Sequence, residues 1–266
     1  MYSSKKKTGF SKFIASIPNW VWLIISLVAA ALLWIVISHS TKGGVVFATP
    51  TKVFESLMKK VNDGTLWVHI GYSLFRVLAG FGIGFVASIP MAFLMGWYAP
   101  FRHVVEPWIQ FVRNIPPLAY IPLVIVGAGV GEKAKVIVIF IASFLVLVVT
   151  IYQGVCNVDI TLIKAARILG ASDRDIFFRV VIPASTPFIL TGARLGLSAS
   201  LTTLVAAELT GASEGLGMMI QKASGYYDMG TVLMGIIVIG IIGIGMEKLV
   251  RFLERRLTGW QETVQQ

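Results

Sequence analysis

The chain has 266 residues, 56% of them hydrophobic and 14% charged, with a formal net charge of +10 and a mean hydropathy of +0.80. Soluble domains carry about 25% charged residues, so this chain is too poor in charge to cover a water-facing surface. That excludes a disordered chain and a soluble enzyme core; Cys156, the one cysteine, excludes a disulfide scaffold.

Residues 20–37 hold no charge and are long enough to cross a hydrocarbon core of about 30 Å. Lys5, Lys6, Lys7 and Lys12 precede them. The length of the run, Trp22 and Trp34 within it, and the lack of a small-x-small exit favour a retained first span over a cleaved leader, with segment 1–19 in the cytoplasm. Residues 38–67 then read as extracytoplasmic. Within them 52–60 suits an amphipathic helix with Val53, Phe54, Leu57 and Val61 on its apolar side, lying on the membrane.

Five more spans follow over 76–102, 104–129, 136–158, 183–207 and 229–246, the third despite Glu106 and Arg113 and the fifth despite Arg194. Six spans put both termini on one side. The loop from 156 to 182, with Lys164, Arg167, Arg174 and Arg179, and the tail 250–266, with Arg251, Arg255 and Arg256, then carry basic charge inside. Basic residues beside apolar runs are topology signals rather than a nucleic-acid surface. Backbone polar groups in lipid must be paired, so the spans are helices and the fold class is all-α. Pro90, Pro116, Pro117 and Pro122 remove helix hydrogen bonds, and the pairs Gly80/Gly84, Gly127/Gly131 and Gly192/Gly196 allow close helix approach.

The loop 159–183 is the most informative stretch. Asp159 suits an N-cap for a short helix with Leu162, Ile163, Ala166 and Leu169 on one face, and Gly170 suits its stop. Ser172 and Asp175 form an S-x-x-D capping signature for a second short helix, with Ile176, Phe177, Val180 and Val181 on its apolar face and Pro183 at the start of the next span. Periodicity alone suits either a compact docking knob or a loop lying on the lipid surface.

Lys164-Ala165-Ala166, three residues, Gly170, nine residues, then Val180-x-Ile182-Pro183 resembles the EAA loop of ABC-importer permeases, with Lys164 where the family often has Glu. The stretches 73–96, 105–136 and 190–220 are similar to the nitrate/sulfonate/taurine/bicarbonate permease group. The resemblance implies a transmembrane permease domain over 68–249, whose loop 159–183 couples to a cytosolic ATP-binding subunit. It also implies two copies of that subunit, a second permease copy, and an extracytoplasmic substrate-binding protein. The cargo it implies is a small anionic solute; a vitamin precursor such as a pyrimidine or flavin is the alternative within the family.

The chain lacks a G-x-x-x-x-G-K-[ST] phosphate loop and so does not bind ATP in that way; the resemblance implies that ATP and Mg belong to the partner ATPase, and no cofactor is expected in this chain. His39, His69 and His103 lie at separate span ends or loops and suit interfacial roles better than a metal site. Arg76, Arg113, Arg194 and Glu208 are the charges within or at the edge of spans. They suit a positive path for an anion, or structural pairing of Arg194 or Arg113 with Glu208 or with proline-freed carbonyls. An ion-gradient transporter would require inverted repeats and several buried acids; Glu208 is the sole deep acid and no repeat is visible.

Overall fold

A computed structural model describes residues 18–40 and 47–257. Most of the N-terminal segment 1–19, with its four lysines, and the end of the tail lie outside the described residues, as does Lys42. Along the chain the helices are α1 (Asn19–His39), α2 (Pro50–Asn62), α3 (Thr65–Trp97), α4 (Ala99–Arg113), α5 (Pro117–Ala128), α6 (Glu132–Cys156), α7 (Ile160–Ile168), α8 (Asp173–Ile176), α9 (Ile182–Leu209), α10 (Leu216–Gly225) and α11 (Met229–Leu257).

Five stretches are long and apolar enough to cross a membrane, and the pair α4 and α5 makes a sixth if taken as one broken span. That pair corrects the expectation of a single helix over 104–129. The two halves meet at 104°. Pro116 and Pro117 supply no N–H to the end of α4, so Ile115 turns back onto Val112 and the chain restarts at Pro117.

The core is α6 packed parallel to α3 and antiparallel to α9. Its closeness comes from glycine. A Cβ at Gly80 would fall against Ile139, one at Gly84 on the Ser143 hydroxyl, and one at Gly196 on Leu147. Without a hydrophobic drive between helices in lipid, such close approach supplies the dispersion contact that holds the bundle. Gly127 and Gly131 meet nothing within 4 Å in this chain, so the second glycine pair does not pack here.

Two expectations change at the edges of this core. Helix α2 does not simply lie on the membrane: Val53 is buried, and Leu57 and Val61 pack with Leu66, Leu216, Met219 and Met234, while Phe54 and Met58 stay exposed. Thr49 caps it, accepting from the Lys52 N–H, and Gly64 at φ +74° turns the chain into α3. The second short helix of the 159–183 loop is also not a separate piece. Helix α8 runs through one widened turn, Phe177–Val181, directly into α9, giving one helical stretch from Asp173 to Leu209. The widened turn lies just before Pro183, whose ring and missing N–H would otherwise disrupt an α-turn.

Candidate functional site

Helices α6 and α9 run in opposite directions, so the loop between them sits at one end of the bundle. The first residue of α6, the last turn of α9 and the loop after α9 sit at the other. With 1.5 Å rise per residue, the ends of α6 are about 36 Å apart. Each end carries one of the two functional candidates.

At the first end the local chemistry is as the residue types require. The Asp159 carboxylate accepts from the Thr161 N–H at 2.8 Å, and that bond holds its pKa below the ordinary 3.8. Gly170 takes φ +81°, a left-handed turn that closes α7, and its missing Cβ faces open space. Ser172 Oγ accepts from the Asp175 N–H at 3.2 Å and donates to the Asp175 carboxylate at 2.5 Å, so the cap is reciprocal. Arg167 bridges the two helices by reaching Asp173 at 3.1 Å.

This elbow is anchored by Ile176 and Val181, which are buried among Ala92, Phe93, Leu147, Ile151 and Val155, with Ile163, Ala166, Phe177 and Val180 packed around them. The expected apolar face of α7 is only half used. Leu162 and Leu169 are exposed, together with Ile160 and Ile168, and Ile168 and Leu169 are each 86% exposed. Of the other residues matching the loop motif, Lys164, Ala165 and Gly170 are exposed, while Ile182 and Pro183 are half-buried at the start of α9. A groove of about 670 Å³ runs beside the elbow, with Phe93, Trp97, Phe177, Phe178 and Arg174 among its walls.

The other end is a buried ion lattice. Arg76 and Glu208 are both 0% exposed, and Arg76 Nη1 donates to Glu208 Oε1 at 2.6 Å. The same guanidinium holds Glu132 with two bonds, Nε to Oε2 at 2.5 Å and Nη2 to Oε1 at 2.7 Å, and also donates to the Glu214 carbonyl. Buried Lys135 donates to Glu132 from one turn along α6. Two cations therefore face two carboxylates, and the group is neutral.

The lattice also fixes the loop after α9. Glu208 accepts from Ser73 Oγ at 2.7 Å and from the Gly217 N–H at 2.7 Å, and Ser73 Oγ accepts from the Leu216 N–H. The Gly215 N–H lies 3.0 Å from His69 Nδ1, which also lies 2.9 Å from Glu214 Oε2. Gly215 has φ +133°, and a Cβ there would land on Glu208 and Arg76. Only glycine lets the backbone cross so close to the charges.

Sequence position separates the four intramembrane charges differently. The structure brings Arg76 and Glu208 together and leaves the other two apart. Arg194 lies 3.7 Å from Glu254 of α11 and lines a cavity of about 360 Å³ with Ser198 and Glu247. Arg113 is exposed at the end of α4, beside the 104° corner. The partner of Glu208 is thus Arg76, from a helix 132 residues away in the chain, and neither Arg113 nor Arg194. From sequence, His69 has only an interfacial role, and Glu132, Lys135, Ser73 and Glu214 have none. The available signal was one helical turn between Ser73 and Arg76 and between Glu132 and Lys135, which puts each pair on one face.

A family model described as "Binding-protein-dependent transport system inner membrane component" matches residues 80–259. A "Probable ABC transporter permease protein" of Brucella abortus (strain 2308) is 52% identical over 83% of this chain and 88% of its own length. The taurine transport system permease protein TauC of Escherichia coli (strain K12) is 37% identical over 81% of this chain and 80% of its own. Among solved structures, an inward-facing MetNI methionine ABC transporter contains a chain of the same fold, with TM-score 0.66 and 19% identity over 73% of this chain and 96% of that one.

Proposed function

The chain belongs to the inner membrane components of binding-protein-dependent transport systems, and from that premise we propose how its two ends divide the work of an ATP-driven importer. It is a multi-pass permease subunit of an ABC importer. In our reading the elbow at Asp159–Pro183 is the handle gripped by a cytosolic ATPase, so that this end is cytoplasmic and both termini lie on the same side. ATP and Mg sit in that ATPase, and this chain supplies no catalytic group. Two ATPase subunits and two permease copies form the working unit, with a soluble binding protein at the opposite face.

The observation that carries this reading is the exposure of Ile160, Leu162, Ile168 and Leu169 on a helix whose other side is tied to the bundle. Lys164 and Arg167 lie on the same short helix, and Asp159, Asp173, Arg174, Asp175 and Arg179 surround it. So many charges are costly to sink in lipid, while the apolar patch between them is costly to leave in water. A cleft in a soluble protein satisfies both. Lys164, Ala165, Ala166 and Gly170 form the contact, and Val180, Ile182 and Pro183 pass its displacement to α9.

When the ATPase pair closes on ATP, the two elbows approach each other and each drags its α9. The spans then tilt to open the extracytoplasmic side, and hydrolysis restores the inward-open state. Cargo descends between the permease copies. It is a small anionic solute of the sulfonate class, a choice supported by the likeness to the taurine permease. Exposed Arg113 at the α4–α5 corner has no ion-pair partner among the described residues and is the cation assigned to that path. Arg76 and Glu208 neutralise each other in the lattice, and Arg194 is turned toward Glu254. The test is reconstitution: wild-type permease should retain its ATPase subunit through purification and import solute only with ATP and binding protein. A permease that purifies alone and transports on an ion gradient would refute the reading.

A further inference from the structure

One nitrogen of His69 has two partners on the loop after α9 and can serve only one of them. The Gly215 N–H donates to Nδ1 at 3.0 Å and needs a lone pair there; the Glu214 carboxylate, with Oε2 2.9 Å from Nδ1, needs a proton there. Burial decides which partner the neutral ring takes. Gly215 is buried, so its N–H depends on an acceptor within the protein, whereas the Glu214 side chain is 40% exposed. The neutral ring therefore carries its proton on Nε2 and accepts from Gly215. The imidazolium has no such choice: both of its nitrogens donate, so it takes Glu214 and leaves the Gly215 N–H without an acceptor. Protons reach the ring, because His69 lines a cavity of about 510 Å³ between α2, α3, α10 and the start of α11. The other charges around it are Lys60 of α2, Lys222 of α10, Asp228 before α11 and Glu208 of α9. Arg76 of α3 and Glu132 and Lys135 of α6 stand in the lattice beyond.

We propose that His69 is a proton-operated latch: the neutral ring holds the loop to α3 through Gly215, and the protonated ring drops Gly215 and draws in Glu214. The latch goes beyond the importer reading and rests on it in one respect, that this end then faces the extracytoplasmic side, whose pH the latch senses. Release is partial. The Glu214 carbonyl still accepts from Arg76, the Leu216 N–H still donates to Ser73, and the Gly217 N–H still donates to Glu208. One of these four backbone bonds depends on the imidazole, so acid slackens the loop at the head of α9 without detaching it. Gly215 is also the residue whose backbone crosses hard against Glu208 and Arg76, so its release is felt where the lattice holds α9.

The experiment follows hydrogen exchange of peptides covering 209–218 in the permease–ATPase complex in nanodiscs, from pH 5 to 8, with each rate divided by the intrinsic rate at that pH. Wild-type protection should fall in one step toward acid by at least about threefold, the worth of one ordinary hydrogen bond. His69→Asn places an acceptor oxygen near the position of Nδ1 that does not titrate, so its loop should stay protected across the range. Glu214→Gln removes the anion that rewards the imidazolium, so the step should remain and move to lower pH. A wild-type loop with no step overturns the latch. So does a His69→Asn loop that keeps the step, which would assign it to a carboxyl such as Asp228. Should His69→Asn lose protection at every pH, the Glu214→Gln shift decides, and a step left unmoved by it overturns the exchange of partners. These readouts need no transport. A complex that shows the step yet imports on an ion gradient would refute the importer reading and leave the latch standing; one that imports with ATP and binding protein yet shows no step would do the reverse.

Discussion

The two ends of this bundle are built on opposite principles. The caps and the turn of the elbow at Asp159–Pro183 are local, and although Ile176 and Val181 anchor it in the bundle it leaves apolar side chains outside. The lattice around Arg76 is made of contacts between residues far apart in the chain, and it hides charges inside. A lost capping bond at the elbow costs mainly the elbow, because α7 meets the bundle through Ile163 and Ala166 and leaves its other apolar side chains outside. A lost bond in the lattice unsettles three helices and a loop together, since breaking a buried pair leaves an uncompensated charge. One end is therefore expected to govern communication and the other integrity.

The sharpest way to break that contrast is to remove one lattice charge. Arg76→Leu should cost about 3–5 kcal/mol, seen as a lower thermal transition of the purified protein or its loss from the membrane. Equal stability to wild type would show that the lattice is dispensable. Gly215→Ala should follow at about 1–3 kcal/mol, since the added methyl meets Glu208 and Arg76 in a backbone conformation that disfavours it. At the elbow, Gly170→Ala should cost about 1–2 kcal/mol, all of it backbone strain because no neighbour is struck. Its measurable result is reduced ATPase retention without a lower thermal transition of the bundle.

Ile168→Asp, on an exposed side chain, should move stability by less than about 0.5 kcal/mol and yet release the ATPase subunit in co-purification. Retention of the subunit by this variant would place the grip elsewhere. The smallest effect is acid sensitivity of the α7 cap. The Asp159 carboxyl is held below 3.8 by the Thr161 N–H, so its contribution is complete above 3.8 and is lost only as pH falls through the still lower folded value. Protection of the Thr161 amide, measured against its intrinsic exchange rate at each pH, should therefore hold at pH 5 and fall only under stronger acid.

The same division decides what could be read from the sequence. Asp159, Gly170 and Ser172 act on neighbours within a few residues, so their capping roles are visible in the chain itself. Charge-free runs mark the spans for the same reason, although the 104° corner is only half legible: prolines announce a break but not its angle. The partner of Glu208 could not be found this way, because apolar helices give no sign of which faces meet. Glycines at Gly80 and Gly196 say that something comes close; that it is Ile139 and Leu147 depends on the packing of the whole bundle. The exposure of Ile168 and Leu169 was hidden too, since periodicity shows which residues share a face and not whether that face is covered.

The widened turn at Phe177–Val181 joins the elbow to its span without interrupting the helix. From Asp173 to Leu209 the rod is about 54 Å long, with the elbow at its foot and Glu208 held in the lattice near its head. In the proposed mechanism this continuous helix is what carries a displacement of the elbow up to the anchored loop.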